Sequence, residues 1–190
     1  MSKKAAILSI ALLAAGSAPA LAHPGHSFAF SDGLMHPISG VDHLLAMVAV
    51  GFWSTAIGSR AMITLPSTFV LFMMIGALAV HVGAAGMPAT ELMIVMSLLV
   101  LGGAIAARAT PPLWLATGVT ALFALVHGLA HGMEVAHNAS FGLYVAGFVA
   151  STALLHVAGV ILAMSTRQQK LAAPLFGAFL AIAGTGMLAV

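Results

Sequence analysis

The chain of 190 residues is 62% hydrophobic and only 5% charged, with a mean hydropathy of +1.14. Soluble domains carry about 25% charged residues, so this composition excludes an ordinary water-soluble protein and indicates a chain embedded in lipid. Cysteine is absent from the sequence, which excludes both a disulfide framework and a thiolate metal site. Six scattered Lys and Arg residues form no basic patch, so nucleic acid is not a predicted partner.

The N-terminal segment has the three parts of a secretory signal peptide. Lysines at positions 3 and 4 form the positive region, residues 5–14 form a short apolar region, and Ala20 and Ala22 provide the small–x–small cleavage pattern. We therefore predict that residues 1–22 are removed and that residues 23–190 form a single domain. An uncleaved first membrane helix is the alternative, which the interruptions at Gly16 and Pro19 disfavour.

The mature chain is predicted to be all-α, a polytopic membrane helical bundle with six transmembrane helices. A bilayer core about 30 Å thick requires about 20 apolar residues per helix, and helices satisfy their own backbone hydrogen bonds in lipid. Prolines at positions 37, 88, 111 and 112 are expected at helix starts, where a missing N–H is tolerated. The predicted spans are about 38–58, 62–84, 90–108, 112–131, 140–164 and 171–189.

The basic residues predict the orientation of this bundle. All four Lys and Arg residues of the mature chain lie in the connections after the first, third and fifth spans, which the positive-inside rule places in the cytoplasm. Both mature termini would then face the periplasm, as a cleaved signal peptide would produce. We predict a multi-pass protein of a bacterial inner membrane. The four residues are Arg60, Arg108, Arg167 and Lys170.

A first group of ionisable residues opens the first span. An aspartate at a helix centre costs about 2.5–3.5 kcal/mol on insertion scales, so such residues require an explanation. In a helix that begins at Pro37, His36 and His43 would share a face but stand about 10 Å apart, too far for one ion. Gly40 could shorten that distance, or the two histidines could serve successive sites. Asp42 could bind metal directly or orient a histidine; a capped helix end with interfacial polar residues is the structural alternative.

A second group ends the fourth span. His127 and His131 are four residues apart and Glu134 follows three residues later, so the three side chains are expected on one helical face. Two imidazoles one turn apart can hold one metal ion, as in helical zinc motifs. We predict a metal-binding role for this group, with packed core histidines as the alternative.

Further residues are weaker candidates. His81 and Glu91 flank a short connection and could be interfacial residues. His156 lies deeper, in the fifth span, and could be a relay or a packed core residue. Met47 is placed where a soft ligand would be useful. The weaker candidate ligands are His81, His23, His26, Met47 and His156, with Glu91 ranked below His81.

The ligand types restrict the metal. Imidazole with carboxylate and no thiolate suits nickel, cobalt, zinc or copper(II), whereas calcium and magnesium prefer oxygen alone. The residues alone therefore predict a divalent first-row metal ion as partner, with no organic cofactor. They contain no phosphate-binding loop and no enzymatic constellation, so we expect neither ATP use nor catalysis by this chain.

Two stretches resemble the HupE/UreJ family of nickel permeases: HPISGVDHLLAM at 36–47 and HGLAHGME at 127–134. The leader and the six spans match as well, so the resemblance covers the whole chain. It implies uptake of nickel(II), or cobalt(II) in some members, and supply to the proteins that mature hydrogenase or urease. The spacing His-x5-Asp-His departs by one residue from the His-x4-Asp-His of the larger nickel–cobalt transporter family, which we treat as an analogue. The implied functional positions are His36, Asp42, His43, His127, His131 and Glu134.

Two other functions remain compatible with the residues. A membrane haem protein would need two histidines at matched depth on facing helices, such as His81 with His127. That function leaves Asp42 and Glu134 unexplained. A metal-binding accessory protein that does not transport is the second alternative.

Overall fold

The computed structural model of the chain describes residues 29–84, 89–134 and 140–188, and in Glu134 only the backbone. These residues form seven helices and no strand. The predicted signal peptide, with His23 and His26, lies outside them, so its cleavage stays a prediction. The helices are α1 (Ala29–Ser39), α2 (Val41–Ile57), α3 (Ala61–His81), α4 (Thr90–Ala106), α5 (Leu113–Glu134), α6 (Phe141–Thr166) and α7 (Ala172–Met187).

The helix lengths are those of a multi-pass membrane protein. Helices α3, α5 and α6 are long and apolar enough to cross a bilayer, and α1 with α2 makes a fourth candidate if the bent pair counts as one span. Helices α4 and α7 are apolar but have only 17 and 16 residues. The all-helical architecture is confirmed, whereas the count of six spans stays a prediction. Helices α2 to α7 lie within three residues of the six predicted ranges.

The start of the first span differs from the prediction. Pro37 does not begin a helix; it lies inside α1, and the chain bends by 80° before α2 begins at Val41. Gly40 causes the break, because its extended backbone (φ −87°, ψ 111°) interrupts the helical hydrogen bonding. No helix was predicted before residue 38, whereas α1 begins at Ala29. At the fourth span the prediction was right, since Pro112 immediately precedes α5.

Pairs of glycines set how closely the helices approach. On α3 a Cβ at Gly76 would collide with the carbonyl of Leu125, and on α5 a Cβ at Gly128 would collide with the carbonyl of Met73. Such small residues let membrane helices pack backbone against backbone. Gly128 therefore lets α5 pack closely against α3. The same reciprocal arrangement joins α1 to α6 (Gly33, Gly147), α2 to α6 (Gly51, Gly159) and α4 to α7 (Gly102, Gly177).

The two ends of the bundle differ in character. At one end, the guanidinium of Arg108 donates a hydrogen bond to the carbonyl of Lys170, and the indole of Trp53 donates one to the carbonyl of Ala109 at 2.9 Å. We call this the arginine end, and the opposite end, where α1 meets α2 and where α3 and α5 finish, the histidine end. The core between them lies where α2 contacts α3, α4 and α6.

Candidate metal-binding site

The break at Gly40 brings together two histidines that a regular helix would separate. Because α1 turns away from α2, the rings of His36 and His43 lie 6.3 Å apart, centroid to centroid. Their Cα atoms would be about 10 Å apart along an unbroken helix axis. Of the two arrangements predicted for this pair, the one in which Gly40 shortens the distance is therefore the one observed.

Helix α5 adds two more imidazoles to the same place. His127 and His131 are 0% and 1% exposed, and both face the break between α1 and α2. The ring of His131 lies 4.7 Å from that of His36 and 4.4 Å from that of His43, and His127 lies 5.2 Å from His43. The two groups of the sequence thus meet in one cluster. We call His36, His43, His127 and His131 the imidazole cluster.

Asp42 is placed to fix the orientation and the tautomer of the His43 ring. Its Oδ1 lies 2.8 Å from Nδ1 of His43 and also accepts the backbone N–H of His43 at 2.8 Å. A carboxylate that accepts from Nδ1 leaves the lone pair on Nε2, as in many metal-binding histidines. The Nε2 atom of His43 is buried and has no hydrogen-bond partner. This geometry would allow Asp42 to orient His43, one of the two roles predicted for it, and the role itself stays a prediction.

His127 is oriented in the same way by the backbone. Its Nδ1 lies 2.8 Å from the carbonyl oxygen of Phe123, one turn earlier on α5. Because a carbonyl can only accept, Nδ1 carries the proton and Nε2 carries the lone pair. This Nε2 is also buried without a hydrogen-bond partner. A buried acceptor left unpaired costs about 1–3 kcal/mol, so two of them in one cluster point to a ligand.

A cavity of about 520 Å³ opens beside the cluster at the histidine end. Its walls come from the break between α1 and α2, from the start of α4 and from the end of α7. Two carboxylates line it, those of Asp42 and Glu91. Asp42 therefore faces this outer cavity while it contacts His43, and a cation in the cavity would meet negative charge first.

The weaker candidates lie around the cluster rather than in it. His81 is exposed and its ring is stacked on Phe141 at 3.9 Å. Met47 is fully buried in the apolar core. His156 lies deeper, and Phe69 separates it from His127.

The structure does not support the haem pairing of His81 with His127. Gly128 packs against the backbone of Met73, so His127 lies near the level of Met73 on α3. His81 is eight residues further along α3, which corresponds to about 12 Å of helix axis. The two rings therefore lie at different depths.

The cluster is not a preformed metal cage. Among the described residues, no group of three or more His, Asp or Glu side chains has the geometry to hold a metal ion. The rings of His36 and His131 meet edge to face at 84°. Ligation by several imidazoles at once would therefore require rotation of their side chains.

Two aromatic residues beside the cluster were not predictable from the sequence pattern. Phe69 contacts His127 at 5.3 Å and Phe148 contacts His131 at 4.2 Å, yet neither side chain carries an ionisable group that marks it as part of a metal site. Thr120 is a residue that the pattern could have revealed. It lies seven residues before His127, hence on the same face of α5, and it is buried.

Comparison with known proteins places the chain in a family. The family model described as "HupE / UreJ protein" matches residues 10–187. Protein HupE from Rhizobium leguminosarum bv. viciae is 38% identical over 181 residues, which cover 93% of this chain and 94% of that protein. No solved structure matches the chain. Since the family includes proteins related to nickel and cobalt transport, the resemblance expected from the two motifs is confirmed, and the chain belongs to the HupE/UreJ family.

Proposed function

We propose that this chain is a secondary transporter that takes up divalent nickel, or cobalt, from the periplasm into the cytoplasm. The observation that carries this proposal is the meeting of the two sequence motifs in one buried cluster. There, His43 and His127 each keep an unpaired Nε2. Membership of the HupE/UreJ family supports the same class of function.

Capture begins in the outer cavity. The carboxylates of Asp42 and Glu91 attract a hydrated dication there, and the orientation predicted from the basic residues makes this the periplasmic side. The N-terminal tail, with His23 and His26, precedes α1 and would add imidazoles at the same mouth. The cavity is wide enough for an ion with part of its water shell.

Ligation follows in the imidazole cluster. The Nε2 atoms of His43 and His127 replace water molecules of the ion, and Asp42 keeps the ring of His43 in the binding tautomer. His36 and His131 complete the set after rotation of their rings. Glu134 lies one turn beyond His131 and adds a carboxylate ligand in this proposal. Such a nitrogen-rich set suits nickel and cobalt better than magnesium or calcium.

The membrane potential supplies the driving force. Two positive charges that move inward gain about 4.6 kcal/mol per 100 mV, twice the value for one charge. That free energy corresponds to accumulation by a factor of roughly 10³. Uptake by this route needs no ATP site on the chain.

The test is nickel accumulation in cells that express the wild type, Asp42→Asn or His131→Ala at matched membrane levels. We expect the wild type to raise cellular nickel and both variants to abolish the rise. The matched controls are Asp32→Asn and His81→Ala, which change exposed residues outside the cluster and should keep uptake. If the wild type raises neither nickel nor cobalt, the transport proposal is wrong. Binding to purified protein without uptake would then identify an accessory protein.

A further inference from the structure

A column of rings continues inward beyond the imidazole cluster. Phe69 lies 5.3 Å from His127 on one side and 5.1 Å from His156 on the other. His156 is 1% exposed, and neither of its ring nitrogens has a hydrogen-bond partner. It lies fifteen residues from the start of α6, about 22 Å from the histidine end. An imidazole left unpaired at this depth is costly, so a purely structural role does not explain it.

Polar groups accompany this column on two helices. On α6, Phe148, Thr152 and His156 follow one another at four-residue spacing and so share a face. Phe148 contacts His131, whereas the hydroxyl of Thr152 lies 3.8 Å from the sulfur of Met73. These contacts place Thr152 between the imidazole cluster and His156.

The third polar group is on α5. Thr120 lies fourteen residues from the end of that helix, about 21 Å from the histidine end, a depth similar to that of His156. Its hydroxyl is buried without a hydrogen-bond partner. Both helices therefore carry an unsatisfied polar side chain at about the same depth.

A second cavity has His156 in its lining and extends from the level of Val149 and Met74 to that of Met62, near the arginine end. This cleft, of about 400 Å³, lies between α3 and α6. Met62, Pro66 and Ser67 line its α3 side. Pro66 has no N–H, so the carbonyl of Met62 loses the helical hydrogen bond that position 66 would donate. The rest of the lining is apolar apart from His156, so below the imidazole the cleft offers only the hydroxyl of Ser67, the thioether of Met62 and a backbone oxygen.

We propose that His156 is an inner transfer site for the same divalent cation, and that the α3–α6 cleft is the exit path. His156 belongs both to the ring column and to the lining of the cleft. It binds the cation after it leaves His127 and passes Phe69, and it releases the cation into the cleft. This inference rests on the proposed function, since it assigns the second half of the same path.

The first experiment separates binding from passage. In His156→Gln, nickel(II) chloride should still bind the purified protein with nearly wild-type affinity, because the imidazole cluster is unchanged. Nickel uptake at matched membrane levels should fall by about 10- to 100-fold, as for other changes around metal ligands. Retained binding also shows that the variant is folded. Uptake equal to that of the wild type would overturn the role of His156.

The second experiment tests the cleft without relying on transport. The chain contains no cysteine, so a single introduced thiol gives an unambiguous signal. Ser67→Cys lies in the cleft, six residues or about 9 Å from the arginine end of α3. Gly118→Cys is the matched control, five residues or about 8 Å from the start of α5, on an exposed face with no atom within 4 Å of its Cβ.

In inverted membrane vesicles, a charged methanethiosulfonate reagent should modify Ser67→Cys and spare Gly118→Cys, which faces lipid. Equal lack of reaction at both positions would show that the cleft is closed to water and would overturn the exit path. If the wild type takes up no nickel or cobalt, the proposed function fails, and with it the transfer role of His156. Labelling of Ser67→Cys would still report whether the cleft is an aqueous path.

Discussion

Replacement of Asp42 by asparagine should weaken nickel binding to the purified protein by a factor of about 10 to 100, the usual effect of losing a carboxylate that supports a metal-binding histidine. The carboxylate accepts the Nδ1–H of His43 at 2.8 Å, so its negative charge favours the tautomer in which Nε2 carries the lone pair. The expected loss corresponds to about 1.4–2.7 kcal/mol.

The structure explains why this substitution reports chemistry rather than folding. The same Oδ1 accepts both the backbone N–H and the Nδ1–H of His43, so the amide oxygen of asparagine can keep both hydrogen bonds at the start of α2. The shape of the side chain is unchanged, whereas its negative charge is lost from the outer cavity. Isothermal titration calorimetry with nickel(II) chloride gives the dissociation constants of wild type, Asp42→Asn and the control Asp32→Asn. A dissociation constant for Asp42→Asn within about twofold of the wild type would refute the contribution of the Asp42 charge to nickel binding.

Three further predictions address the ligands, the packing and the leader. His127→Gln should reduce nickel affinity by at least about tenfold in the same titration, whereas His81→Gln, outside the cluster, should leave it unchanged. Gly128→Ala should lower the free energy of unfolding by about 1–3 kcal/mol, because the added Cβ collides with the carbonyl of Met73. Thermal unfolding in detergent measures this loss of stability. The control Gly118→Ala should not be destabilised, because no atom lies within 4 Å of the added Cβ. Mass spectrometry of the purified protein should find a mature N-terminus at His23; an intact leader would show that the cleavage prediction is wrong.

The helices were predictable because their sequence signal is strong and local. Long apolar runs separated by short connections place α2 to α7 within three residues of the predicted ranges. The bend at Gly40 was less accessible, since a glycine inside an apolar run is compatible with a continuous helix. Helix α1 was not predicted, because it is too short to appear as a membrane span of about 20 apolar residues. Its stability comes from contact with α6, where Gly33 and Gly147 let the two backbones touch, and such a tertiary contact leaves no local pattern.

The candidate site was predictable residue by residue but not as an arrangement. Spacing alone placed His127 and His131 on one face of α5, and their burial agrees with that prediction. The sequence could not show that His131 lies 4.4 Å from His43, because that distance depends on how α5, α1 and α2 pack. The side chain of Phe69 carries no ionisable or metal-binding group that would single it out in the sequence. Its place between His127 and His156 emerges only from the fold.

In the proposed transporter, the incomplete geometry of the imidazole cluster would let the ion leave again. A structural metal site holds its ligands at fixed distances and binds tightly, whereas a transported ion must leave as readily as it enters. In this chain, Asp42 and the carbonyl of Phe123 fix the rings of His43 and His127, yet the described residues do not form a closed cage. On the proposed function, the remaining ligands join by small rotations and separate again when the ion moves past Phe69. A variant in which more side chains bind the ion at once should therefore bind nickel more tightly and transport it more slowly. An increase in nickel affinity together with a decrease in uptake rate would distinguish a transport site from a storage site.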